Sequence, residues 1–119
     1  AMTPAQFRRL ALALPEAVQG EHMGTPDFRV RGRIFATLGS GANARCVVKL
    51  APGEQEMFMR VEPDAFEPVT GGWGRKGWTR VDLSRVEEPL ARDALVTAWR
   101  NVAPKKLAAT LKYVGAGIE

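Results

Sequence analysis

The sequence predicts a single two-layer α+β domain in which an antiparallel sheet packs against helices. Three observations lead there. The opening and closing segments carry apolar residues at helical spacing, the stretch between them breaks into short β-rich runs separated by glycine-containing turns, and 119 residues suffice for one compact core. The element order reads as roughly α-β(3)-α-β(2)-α, with residues 2–114 as the domain and 115–119 as a flexible tail.

Thr3-Pro4-Ala5-Gln6 carries the start signal of the first helix: a capping threonine, a proline at the first helical position and a glutamine three residues after the cap. Phe7, Leu10, Ala11 and Leu14 then form one apolar stripe, and Pro15 stops the helix. Residues 28–30 and 33–38 read as strands flanking a tight turn at Arg31-Gly32, and a looser turn at 39–43 leads to a strand over 45–50. A less regular β run covers 18–23. Residues 52–60 read as a short helix bearing Met57 and Phe58. Strands over 66–69 and 78–83 pair across residues 71–77 as a hairpin. The closing helix starts at Glu88-Pro89, with Ala91, Leu95, Ala98 and Val102 facing the core and Trp99 at the border of that stripe. Residues 101–104 interrupt it, and 105–113 read as a further helix with Lys105 and Lys106 outside.

Composition narrows the function classes. At 45% hydrophobic and 25% charged residues the chain has an ordinary globular balance, which excludes a disordered or fibrous protein. No apolar run approaches the roughly 20 residues that span a membrane and no secretory leader is recognisable, so a cytoplasmic protein without a membrane partner is expected. A lone cysteine, Cys46, in the apolar run Cys46-Val47-Val48 reads as a buried strand thiol.

The net charge of +4 suits an anionic partner, and its distribution is more informative than its total. Arg29, Arg31, Arg33, Arg45 and Lys49 lie in a stretch with no acid, as do Arg75, Lys76 and Arg80. The acids gather in residues 54–67 and 82–93.

Catalytic and metal signatures are thin. One histidine and one cysteine give no zinc or Cys-His constellation, and the carboxylates Glu54, Glu56, Glu87 and Glu88 suit solvated helix faces and a helix start. Gly39-Ser40-Gly41 lacks the Lys-Ser/Thr that completes a phosphate loop. The expectation is a non-enzymatic protein with no cofactor and no metal.

The segment Gly71-Gly72-Trp73-Gly74-Arg75-Lys76-Gly77-Trp78 admits two readings. Arg75 and Lys76 can contact phosphates while Trp73 stacks on a base, or the indoles can cap a sheet while the cations remain solvated. Arg29, Arg31 and Arg33, at period-two spacing, would share one strand face, or cluster at one hairpin tip if the chain turns at Arg31-Gly32.

Taken together, Leu14-Pro15, the run from Gly24 to Ala36, Val48-Lys49-Leu50, Gly72-Trp73-Gly74-Arg75-Lys76-Gly77-Trp78-Thr79 and Trp99 followed by Ala103-Pro104-Lys105 resemble the MmcQ/YjbR-like family of small bacterial proteins. The resemblance covers most of the chain in the expected order. It implies a double-wing α+β fold similar to that of secretion chaperones, with members generally labelled DNA-binding and no catalytic motif to carry across. DNA is therefore the expected partner, with Arg29, Arg31, Arg33, Arg75, Lys76 and Arg80 on phosphates and Trp73 stacking. Two rivals stand beside it. One is a protein-interaction or chaperone-like module that binds through an exposed sheet edge or apolar patch. The other is a small-molecule site or enzyme in which His22, Asp27 and the glycine loop line a pocket.

Overall fold

The computed structural model describes residues 1–39 and 45–111. Helix α1 (Pro4–Leu12) begins where the capping signal places it: Gln6 N–H donates to Thr3 Oγ1 at 3.1 Å, and Thr3 N–H donates to Gln6 Oε1 at 2.9 Å. Four strands follow, β1 (Val18–His22), β2 (Thr25–Val30), β3 (Arg33–Thr37) and β4 (Arg45–Lys49). Then come α2 (Pro52–Val61), β5 (Phe66–Pro68), α3 (Gly72–Arg75), β6 (Trp78–Asp82), α4 (Glu88–Val102) and α5 (Lys105–Ala108).

The six strands form one open antiparallel sheet in the order β1-β2-β3-β4-β6-β5. Its α+β character is as expected, but the element order needs three corrections. The less regular run at 18–23 is a full strand paired along its length with β2, so four strands rather than three precede α2. Its turn is made by Met23 and Gly24, at φ 49° and 80°, the left-handed pair that a two-residue hairpin requires. Methionine there hid the turn, because asparagine or glycine is the usual signal. The expected turn at Arg31-Gly32 has the same geometry, with φ 53° and 81°. Second, residues 71–77 are not a simple hairpin loop, since they wind into the helical turn α3 between β5 and β6. Third, the helix after Pro104 ends at Ala108. Tyr113, the tail at 115–119 and most of the turn at 39–43 lie outside the described residues.

One face of the sheet is the core. Phe28, Val30, Phe35, Val48 and Val81 are buried there, against α1 and α4. Phe7 of α1 meets Phe28 edge to face at 6.4 Å between ring centroids, and Phe58 of α2 packs on Phe66 of β5 at 5.2 Å. Between Arg29↔Ile34 and Phe28↔Ala36 the β2–β3 register shifts by one, a bulge that leaves Phe35 as the extra residue and turns both Phe35 and Ala36 toward the core. Trp99, expected at the border of the α4 stripe, is completely buried, with Nε1 donating to the carbonyl of Pro15 at 3.0 Å.

Cys46 is buried as its apolar run implies, and burial pushes its thiol up to about 11 against a weaker opposing hydrogen bond from the Gly39 backbone. Because the thiolate is the reactive species, native protein at pH 8 is expected to resist a disulfide-exchange reagent that labels urea-unfolded protein at once. Rapid labelling of the folded chain would show that β4 opens readily.

Candidate nucleic-acid interface

The opposite face of the sheet carries no long helix among the described residues. Register assigns its side chains. Residues directly opposite one another project from the same face, so the series His22↔Thr25, Asp27↔Thr37, Arg29↔Ile34, Thr37↔Val47, Val47↔Arg80 and Lys49↔Trp78 lies on the side away from the core.

A groove of about 460 Å³ crosses this face, lined by His22, Thr25, Ile34, Thr37, Val47, Val69, Trp73 and Trp78. That volume falls in the roughly 300–1,000 Å³ range of ligand sites. Strand order places the β1–β2 hairpin on one side, β3 and β4 beneath, and the segment from Val69 to Trp78 on the other. One side supplies a histidine and hydroxyls, the other two indoles.

The indole side owes its shape to its glycines. A Cβ on Gly74 would collide with the carbonyl of Val69, and one on Gly77 with that of Leu50, so both sites require glycine for close backbone approach. Gln55 of α2, itself buried, completes the brace: its amide donates to the carbonyls of Gly74 at 3.1 Å and Trp78 at 3.2 Å and reaches Thr79 Oγ1 at 3.1 Å. Thr79 Oγ1 in turn donates to the carbonyl of Gly77 at 2.7 Å. Trp73 is thereby held outward and is 62% exposed, in edge-to-face contact with Trp78 at 5.8 Å. Each indole carries a cation. Lys76 Nζ lies 5.6 Å from the Trp73 ring centroid, and Lys49 Nζ lies 5.5 Å from that of Trp78.

The cations singled out in the sequence fall into two sets. Arg29 donates to both carboxylate oxygens of Asp27, at 2.7 and 2.9 Å, Arg31 is paired with Glu16, and Arg80 donates to Glu67 at 3.1 Å. Their charge is largely balanced within the fold. Arg33, Arg75 and Lys76 form no ion pair among the described residues. The spacing of Arg29, Arg31 and Arg33 does not produce one continuous strand face, because Arg31 occupies the hairpin turn. Sequence reasoning counted Lys49 among the cations but gave it no contact, and it passed over Gln55. Lys49 alternates outward in β4 and could have been found by register, whereas nothing local distinguishes Gln55 from any other helical glutamine.

At the other side of the groove Asp27 is fully buried and is held by Arg29 and by His22, whose Nδ1 lies 2.8 Å from Asp27 Oδ2. Hydrogen bonding from Arg29, with help from His22, holds its carboxyl below the usual carboxylate range despite burial. Gly20 makes the room, since a Cβ there would lie 2.9 Å from both Arg29 Nε and Asp27 Oδ1. The groove thus includes His22 and Trp73 of the pocket considered as a rival, with Asp27 packed behind the histidine. No cluster of metal-ligating side chains and no helix long and apolar enough to cross a membrane is present among the described residues.

Comparison with known proteins places this architecture. The model of the YjbR family matches residues 12–101. The chain belongs to the YjbR family. Among solved structures, the crystal structure of Deinococcus radiodurans protein DR2400, a DUF419 domain, superposes with a TM-score of 0.72 at 21% identity, covering 89% of this chain and 85% of that one. At that identity the likeness speaks for the fold. No curated protein sequence matches the chain. The YjbR match includes all six strands, both sides of the groove and most of α4, so the groove lies within the family's domain.

Proposed function

We propose that this YjbR-family chain is a non-catalytic nucleic-acid-binding protein that takes a flexible single strand across the uncovered sheet face. The observation that carries the reading is the pair of indoles on that face, each accompanied by a lysine, with Trp73 braced outward by Gln55 rather than folded into the core. Aromatic rings on an exposed sheet stack on unpaired bases, and neighbouring cations track the backbone. Duplex DNA hides its base faces within the stack, which is why the single strand suits this surface better. Arg75, Lys76 and Lys49 contact phosphates, with Arg33 at the margin, while the internally paired Arg29, Arg31 and Arg80 contribute less than the sequence suggested.

Fluorescence anisotropy with labelled single-stranded DNA, duplex DNA and RNA across a salt series tests this. The single strand is expected to bind more tightly than the duplex, with an affinity that falls as salt rises by about 0.7 log units per log unit of salt for each phosphate contact. The double variant R75E/K76E is expected to weaken binding at least tenfold and flatten that slope. Trp73→Ala should cost roughly 1–3 kcal/mol of affinity with the slope unchanged, because it removes stacking and not charge. Absence of binding at low salt sinks the reading. The apolar groove would then point to a protein partner, recognised by association insensitive to salt.

A further inference from the structure

The histidine side of the groove has its own chemistry, whose role depends on the single-strand binding proposed for the indole side. Asp27 is a buried carboxylate gripped by two bonds from Arg29, so it accepts hydrogen bonds and has no proton to give. The Nδ1 atom of His22, 2.8 Å away, must therefore be the donor in that contact. A neutral imidazole protonated at Nδ1 has its lone pair at Nε2. The His22 side chain is 45% exposed and lines the groove, so this acceptor is offered to whatever lies there. Thr25, opposite His22 in the β1–β2 pairing, and Thr37, opposite Asp27, line the same groove with hydroxyls that both donate and accept.

We infer that His22, Thr25 and Thr37 read the edge of a nucleobase lying in the groove, and that they favour an amino group next to a ring nitrogen, as in cytosine and adenine. The amino group donates to His22 Nε2, and a threonine hydroxyl donates to the ring nitrogen. Thymine presents a carbonyl where cytosine has its amino group, which leaves His22 without its donor. Specificity thus sits at the β1–β2 hairpin and the adjoining Thr37 of β3, and affinity at the indoles.

The test compares dC12 with dT12, two pyrimidine strands of similar stacking, for wild type, His22→Ala, Thr37→Val and Trp73→Ala. At pH 7.5, wild type is expected to bind dC12 at least fivefold more tightly than dT12. His22→Ala should bring the two within twofold of each other, with dC12 losing more affinity than dT12, and Thr37→Val should narrow the gap. Trp73→Ala should weaken both strands and preserve their ratio. Equal wild-type affinities for the two strands, or a preference that survives His22→Ala, overturn the inference and leave the single-strand reading standing. If neither strand binds, both fall.

Discussion

Replacing Trp99 by alanine is expected to lower the stability of the fold by roughly 3–5 kcal/mol, the usual range for removing a fully buried tryptophan. Trp99 is the largest completely buried side chain, and its indole lies where the end of α1 meets α4. Its Nε1 donates across 84 residues of sequence to the Pro15 carbonyl, so the same side chain fills the core and ties the first loop to the last long helix. A domain of this size has a total stability of only about 5–15 kcal/mol, and the alanine variant will sit near or below the threshold for folding. Trp99→Phe provides the measurable intermediate. It keeps most of the ring but leaves the carbonyl of Pro15 unpartnered and a small void beside it, so its urea midpoint should fall between those of wild type and Trp99→Ala. If Trp99→Phe matched wild type, the Pro15 bond would contribute nothing to stability.

Asp27→Asn is expected to cost about 2–3 kcal/mol at neutral pH. Breaking a buried ion pair by removing one partner ordinarily costs about 3–5 kcal/mol. The lower figure applies because the Arg29 side chain remains 32% exposed and can turn to water. Melting temperature should fall by about 8–12 °C, at roughly 4 °C per kcal/mol for a chain of this length. The pH dependence has a fixed sign. Folding lowers the Asp27 pKa from its ordinary value of 3.8, chiefly through Arg29, so the stabilisation is fully present above that value and disappears as pH drops through the lower folded value. The gap between wild type and Asp27→Asn should be constant above pH 5 and shrink below about pH 4. A gap that instead widened in acid would mean that Asp27 is protonated in the native protein. The variant also probes function, because Asp27 orients the imidazole of His22.

The parts of this protein governed by short-range rules were legible in its residues. The capping box at Thr3 to Gln6 and the apolar stripes of α1 and α4 depend on a few neighbouring residues, and so does the left-handed turn at Arg31-Gly32. The α+β class and the YjbR resemblance came from the same local signals read in order. Trp73, Arg75 and Lys76 also stood out, because two indoles and adjacent cations between glycines are unusual in any fold.

Which charges are available, and what the glycine loop does, depended on long-range packing. Arg31 meets Glu16 and Arg80 meets Glu67 across 15 and 13 residues, and such pairings depend on strand register rather than on composition. Local sequence alone did not show that Gln55 braces the tryptophan turn from 19 to 24 residues away, nor that Gly74 and Gly77 are required by the carbonyls of Val69 and Leu50. The groove itself has the same origin. His22 and Trp73 lie far apart in the chain and share a surface because the order β1-β2-β3-β4-β6-β5 sets the first hairpin and the tryptophan turn on two sides of one uncovered face.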